Sequence, residues 1–86
     1  MASISLHYWA GARAAAGFDH EVIEAETVAA ALQRAAAEHD DRHFERVLRA
    51  SSLLIDGMTA HQADLERLRV QPVRVEILPP FAGGAG

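Results

Sequence analysis

The residues best suited to chemistry lie at the C-terminal end of this 86-residue chain, where two prolines precede a glycine-rich tail. Pro79 and Pro80 stiffen the chain and project it away from the element before them. Gly83, Gly84 and Gly86 have no side chain, so the tail can enter a pocket too narrow for other residues. A glycine-rich terminus can also be merely disordered, and the tail alone leaves both interpretations open.

Other reactive groups are few. The chain has no cysteine, which excludes disulfides, thiolate metal sites and cysteine nucleophiles, so any sulfur chemistry must use sulfur delivered by another protein. His39 and His43 flank two aspartates, but no third ligand is near in sequence. Solvated histidines at a helix end are favoured over a metal site, and no metal is expected. Ser51 and Ser52 have no histidine and acid at a recognisable spacing for nucleophilic catalysis.

The charge and hydropathy patterns exclude two classes of partner. The formal net charge is −4, and the eight basic residues are scattered arginines, so nucleic acid is not an expected partner. No apolar run approaches the roughly 20 residues that a membrane span needs, and no membrane partner is expected. A cytoplasmic protein is predicted.

Alternation of apolar and polar residues predicts strands with one face on a core. The predicted strands are residues 4–9, 21–24, 52–55, 58–60 and 73–78. Gly11 to Gly17 is interpreted as a loop between the first two strands. Asp56-Gly57 is typical of a two-residue hairpin loop, and Pro79-Pro80 end the last strand because proline has no N–H to donate.

One main helix is predicted over residues 28–38, with Thr27 as its N-cap and an alanine-rich face toward the sheet. A short second helix follows around Phe44, and residues 63–69 form a short irregular or helical connection. The pattern predicts an α+β fold, a mixed sheet of four to five strands with one helix across it. Residues 1–80 would form the domain, and residues 81–86 the tail.

Both ends of the sequence resemble a known family. Residues 4–17, ISLHYWAGARAAAG, and residues 75–84, VEILPPFAGG, are similar to the MoaD/ThiS sulfur carriers, and the likeness is greatest to the MoaD branch. In that family an aromatic first strand leads to a loop with an arginine and a glycine, Thr-Val opens the helix, and Pro-Pro-x-x-Gly-Gly closes the chain. Thr27-Val28 also fit, so the resemblance covers nearly the whole length. It implies a β-grasp fold.

The resemblance also implies a function. A partner adenylating enzyme would activate a C-terminal glycine carboxylate with ATP, and sulfur from a donor protein would give a thiocarboxylate that supplies an acceptor. No cofactor would be bound by the carrier itself. For a MoaD-like chain the acceptor is a molybdopterin precursor, and the partner is the large subunit of molybdopterin synthase. Carriers for thiamine, cysteine or natural-product synthesis, and a ubiquitin-like interaction module or protein modifier, are the alternatives.

The end of the tail departs from the family, which usually finishes at Gly-Gly. Here Ala85 and Gly86 follow Gly83-Gly84. A peptidase that trims two residues would expose Gly84, whereas Gly86 would serve in an untrimmed chain. The spacing from Pro80 to Gly84 matches the family and favours Gly84.

Five residues are predicted to contact partners: Trp9, Arg13, Leu78, Pro80 and Phe81. Arg13 matches the family's arginine after the first strand, although a solvated arginine is the commoner case. Trp9 and Leu78 fall on the polar phase of their strands and would form an apolar patch with Phe81 beside the tail. The alternative is that Trp9 and Leu78 close the edge of the core.

Overall fold

The computed structural model describes residues 1–80, and these form a five-stranded mixed sheet with helices. The elements are β1 (Ala2–Tyr8), α1 (Ala10–Ala16), β2 (His20–Ala25), α2 (Val28–His39), α3 (Arg42–Ala50), β3 (Ser52–Ile55), β4 (Met58–Thr59), α4 (Gln62–Glu66) and β5 (Val73–Leu78). The strand order is β2-β1-β5-β3-β4. The predicted α+β class and mixed sheet are confirmed.

The two central strands, β1 and β5, are parallel and bury one face completely. Their alternating apolar side chains are buried, and they are Ile4, Leu6, Tyr8, Val73, Val75 and Ile77. Val28, Ala31 and Ala35 of α2 cover that face, and their small side chains allow the helix to approach the sheet closely. The predicted amphipathic face of this helix is confirmed.

Local signals place the helix ends and the hairpin. The Thr27 side chain accepts a hydrogen bond from the Ala30 N–H at 3.0 Å, which makes Thr27 the N-cap of α2 as predicted. Asp56 and Gly57 have φ values of 49° and 84°, the left-handed pair that a two-residue hairpin turn requires, and they join β3 to β4.

The prediction of a loop from Gly11 to Gly17 was wrong, because most of this stretch is the helix α1. It is rich in alanine, which has the highest helix propensity, and Ala12 and Ala16 are buried against the core. Gly17 ends the helix in the left-handed conformation with φ of 90°, and its N–H donates to the Arg13 carbonyl oxygen. Arg13 therefore lies on a helix rather than in a loop.

The other helices were expected: α2 is the main helix, α3 is the short second helix predicted around Phe44, and α4 overlaps the predicted connection over residues 63–69. Phe44 anchors α3 in the core, and Asp41 caps the N-terminus of this helix through the N–H groups of His43 and Phe44. No helix within residues 1–80 has the length and apolar character needed to cross a membrane.

Candidate functional site

The candidate site lies where β1 and β5 end side by side. Tyr8 is paired with Ile77 in parallel register, and the Trp9 N–H donates to the Ile77 carbonyl oxygen at 3.2 Å. Trp9 and Leu78 are consequently neighbours at the end of the sheet from which Pro79 and Pro80 continue. Trp9 is 45% exposed and Leu78 is partly exposed, and both follow core residues by one position.

The start of α1 holds Trp9 in this place. The Trp9 carbonyl oxygen accepts hydrogen bonds from the N–H groups of Ala12 and Arg13 at 2.9 and 3.3 Å. Ala10 turns the chain with φ of 47°, a left-handed conformation that is unfavourable for a residue with a Cβ. A Cβ on Gly11 would lie 3.9 Å from Pro79 Cγ, so α1 also lies against the beginning of the tail.

A polar network fixes the end of β1 from the core side. The Glu21 carboxylate accepts a hydrogen bond from the Tyr8 hydroxyl and pairs with His39 Nε2 at 2.8 Å. The His39 ring stacks on Phe44 with centroids 4.0 Å apart. Burial, together with the hydrogen bond to Glu21, raises the pKa of Tyr8 above its ordinary range, so Tyr8 stays a neutral donor.

His39 is therefore not the solvated histidine that was predicted. Its side chain is only 12% exposed, because the sheet brings Glu21 beside the end of α2. The pairing joins residues 18 apart in sequence, so local spacing could not indicate it. Within residues 1–80, no cluster of three or more histidine, cysteine, aspartate and glutamate side chains has the arrangement of a metal site.

A small cationic cleft lies beside Trp9. Its volume is about 150 Å³, and it is lined by His7, Tyr8, Trp9, Arg13, Asp19, His20 and Arg74. Partial burial, the Arg74 guanidinium and His20 lower the pKa of His7, while the hydrogen bond from His20 Nδ1 lowers the pKa of Asp19. No local sequence pattern indicates this cleft, since its residues come from four separate elements and the segments between them.

The structure brings together the described residues that were predicted to contact partners. Trp9, Arg13, Leu78 and Pro80 all lie at the end of the sheet where β1 and β5 finish. Phe81 and the glycines proposed for chemistry, Gly83, Gly84 and Gly86, lie outside the described residues. The described residues at this end form a surface with apolar and cationic parts, which suits docking of another protein.

Comparisons with known proteins support the fold. No protein-family model and no curated protein matches the sequence. The small archaeal modifier protein 1 from Methanosarcina acetivorans has a similar solved structure, with 25% identity, 98% of each chain covered and a TM-score of 0.75. A molybdopterin converting factor subunit 1 from Pyrococcus furiosus is 17% identical, with 94% of this chain and 100% of that chain covered and a TM-score of 0.74.

A third similar structure is a protein–protein complex of subunits 1 and 2 of molybdopterin-converting factor from Helicobacter pylori. The identity is 14%, with 95% of this chain and 99% of that chain covered and a TM-score of 0.64. Identities this low establish the fold alone. The chain has the ubiquitin-like β-grasp fold of these proteins, and the predicted resemblance to the MoaD/ThiS family is confirmed at that level.

Proposed function

We propose that this chain is a cytoplasmic sulfur carrier that acts as the small subunit of a molybdopterin synthase. The observation that carries the proposal is the parallel pairing of β1 with β5, which puts Trp9 beside Leu78 at the point where the chain continues toward Gly83-Gly84. This arrangement would join a docking surface to a tail whose last five residues, 82–86, are only alanine and glycine. The shared fold with molybdopterin converting factor subunits supports the assignment.

The proposed chemistry takes place on a glycine carboxylate. A carboxylate oxygen attacks the α-phosphorus of ATP on a partner enzyme, which releases pyrophosphate and leaves an acyl adenylate. A sulfur nucleophile at the oxidation level of sulfide then attacks the acyl carbon, and AMP leaves. The thiocarboxylate sulfur then replaces an oxygen substituent of the molybdopterin precursor, and water hydrolyses the acyl–sulfur bond, which returns the carrier to its carboxylate. ATP belongs to the partner, and the carrier supplies an unhindered acyl group.

The partners would dock on the surface beside the tail. Trp9 and Leu78 would supply apolar contacts with Phe81 and Pro80, and Arg13 would meet an acidic group of the partner. The adenylating enzyme and the large subunit would use this surface in turn, since both must reach the same glycine. A large-subunit partner is supported by the Helicobacter pylori structure, which is a complex of the two subunits.

A ubiquitin-like modifier is the second candidate function, and the similar fold of the archaeal modifier protein favours it. In that role the activated glycine would form an amide with a lysine of another protein. This chain has no lysine, so it could not build chains on itself through lysine side chains. A carrier for another pathway, such as thiamine, cysteine or natural-product synthesis, would share the loading step and differ in the acceptor.

The loading reaction tests the proposal. The purified chain is incubated with a molybdopterin-pathway adenylating enzyme, ATP and sulfide, and the intact mass is measured. We expect the gain that corresponds to replacement of one oxygen by sulfur, and we expect no gain without ATP. Failure of chains ending at Gly84 and at Gly86 to load, with an active enzyme and a loaded control carrier, would contradict the proposal.

The molecule that accepts the activated group then distinguishes the candidate functions. A thiocarboxylated chain that converts the precursor to molybdopterin with a large subunit supports the synthase role. Lysines of other proteins that carry the C-terminal residues of this chain in amide linkage, with no molybdopterin formed, would favour the modifier. Comparison of chains ending at Gly84 and at Gly86 shows whether a peptidase must remove Ala85 and Gly86 before loading.

A further inference from the structure

The free edge of the sheet at β2 points to a self-association site. β2 is the outermost strand on its side, and no other described strand pairs with its outer edge. The strand has six residues without proline, whereas β4 at the opposite edge has only two. A long edge strand of this kind presents unpaired backbone groups that can pair with another chain.

The register with β1 identifies those backbone groups. The Tyr8 N–H donates to the Asp19 carbonyl oxygen at 2.8 Å, so Asp19, Glu21 and Ile23 direct their backbone groups toward β1. The alternate residues, His20, Val22 and Glu24, direct their N–H and C=O groups outward. Arg34 Nη1 donates to the outward Glu24 carbonyl oxygen at 2.9 Å, which agrees with this assignment.

We propose that two copies of this chain pair antiparallel through their β2 edges, with Val22 of one copy opposite Val22 of the other. This register uses the outward backbone groups of His20, Val22 and Glu24 in both copies. It also places His20 of each copy opposite Glu24 of its partner on the exposed face of the sheet. His20 Nδ1 pairs with Asp19 at 2.9 Å, so Nε2 is the ring atom that would donate to the Glu24 carboxylate.

Other registers of the same edge are less favourable. Pairing centred on Glu24 would set two carboxylates opposite each other, and pairing centred on His20 would do the same with two imidazoles. The central register also joins the Val22 side chains, which are each 58% exposed in the single chain. Charge complementarity and apolar contact therefore select the same alignment, and they favour a second copy as the occupant.

Arg34 controls the strength of this contact. Its guanidinium donates a hydrogen bond to the Glu24 backbone carbonyl oxygen, which would also accept from the backbone N–H of His20 in a second copy. A carbonyl oxygen has two lone pairs, so its hydrogen-bonding capacity suffices for both donors. The limit is space, because the arginine side chain must move aside for the incoming strand. The contact does not involve β5, the strand that leads to the tail, because β1 lies between β2 and β5.

Sedimentation velocity of the full chain over a concentration series tests the inference. We expect a reversible dimer, with Arg34→Ala lowering the dissociation constant roughly threefold to tenfold and Val22→Pro raising it by about tenfold or more. Val22→Pro removes an outward N–H that the pairing with β1 does not use. Met58 is an exposed apolar residue on β4 at the opposite edge, and Met58→Asp is the control that should leave the dissociation constant unchanged.

Substitutions that change the charges at positions 20 and 24 test the proposed register without introducing a proline. His20→Glu should weaken the dimer, and addition of Glu24→Lys should restore it. The inference is overturned if the wild-type chain and Arg34→Ala both remain monomeric at millimolar concentration. It is also overturned if a dimer forms that neither Val22→Pro nor His20→Glu weakens, since association would then use another surface. Loading of the tail is measured separately and does not depend on the result.

Discussion

The Trp9 N–H donates to the Ile77 carbonyl oxygen at 3.2 Å, and this bond joins the end of the first strand to the last strand before the tail. Residues 68 positions apart in sequence are thereby placed side by side, as in the Ser5–Val73 hydrogen bond further along the same strands. The sheet therefore sets the backbone of Trp9 beside the point from which Pro79 and Pro80 continue.

The strained turn after Trp9 can be measured through Ala10→Gly. Ala10 is exposed and left-handed, a conformation that costs a residue with a Cβ about 1–2 kcal/mol. Glycine avoids that cost but loses about 0.5–1 kcal/mol in chain entropy, so we expect a net stabilisation of up to about 1.5 kcal/mol. Urea unfolding gives the free energy.

The control for this change lies on the same helix. Ala14 is exposed in α1 and does not share the positive φ of Ala10, so Ala14→Gly should destabilise the chain by about 1 kcal/mol. Opposite signs for the two glycine substitutions are the diagnostic result. Equal destabilisation would mean that the backbone at Ala10 is not strained.

The Tyr8–Glu21 hydrogen bond should contribute to stability. Tyr8→Phe removes the donor and leaves the half-buried Glu21 carboxylate with His39 alone, and we expect a loss of about 1.5–3 kcal/mol. Thermal and urea unfolding measure it. Ser3→Ala removes a more exposed hydroxyl from Glu24 and should change stability by less than about 0.5 kcal/mol. A Tyr8→Phe chain as stable as wild type would show that the hydroxyl contributes nothing net.

Prediction from sequence succeeded where apolar residues recur with a clear period, and it failed where turn-forming residues obscure that period or where distant residues meet. The alternation in β1 and β5 predicts strands because every second side chain enters the core. The helix α1 was missed because its bounding glycines resemble turn signals, whereas burial of Ala12 and Ala16 decides its structure.

The same distinction applies to the candidate site. Trp9 and Leu78 could be placed together because the resemblance implies parallel first and last strands. The pairing of Glu21 with His39 and the cleft containing His7, His20 and Arg74 depend on contacts between elements, which leave no local pattern in the sequence.

His7 should titrate below its ordinary pKa of 6.5, because partial burial, Arg74 and His20 disfavour its charged form. The unfolded chain then binds the proton more readily than the folded chain. The contribution of His7 to stability is complete above pH 6.5 and is lost as the pH falls through the lower folded pKa. His7→Gln should therefore reduce the loss of stability on acidification below pH 6.5.

NMR titration of the His7 imidazole tests what lowers its pKa. Arg74→Gln removes a nearby positive charge and should raise the midpoint of His7, whereas Arg42→Gln on α3 should leave it unchanged. An unchanged midpoint in Arg74→Gln would assign the lowered pKa to burial and His20. A wild-type midpoint at or above 6.5 would contradict the prediction.

Leu78→Asp tests whether the surface beside the tail binds partners. Leu78 is partly exposed and follows the buried Ile77, so a carboxylate there can reach water while it disrupts an apolar contact. We expect the affinity for the adenylating enzyme and for a large subunit to fall by roughly tenfold to a hundredfold, as loss of an interface residue worth about 1–3 kcal/mol would cause. Isothermal titration calorimetry measures the affinities, and urea unfolding should show a change below about 1 kcal/mol.

Met58→Asp introduces the same charge on β4 and should alter neither affinity. Global unfolding of Leu78→Asp would instead place Leu78 at the edge of the core, and a folded variant with unchanged affinities would exclude this surface from docking.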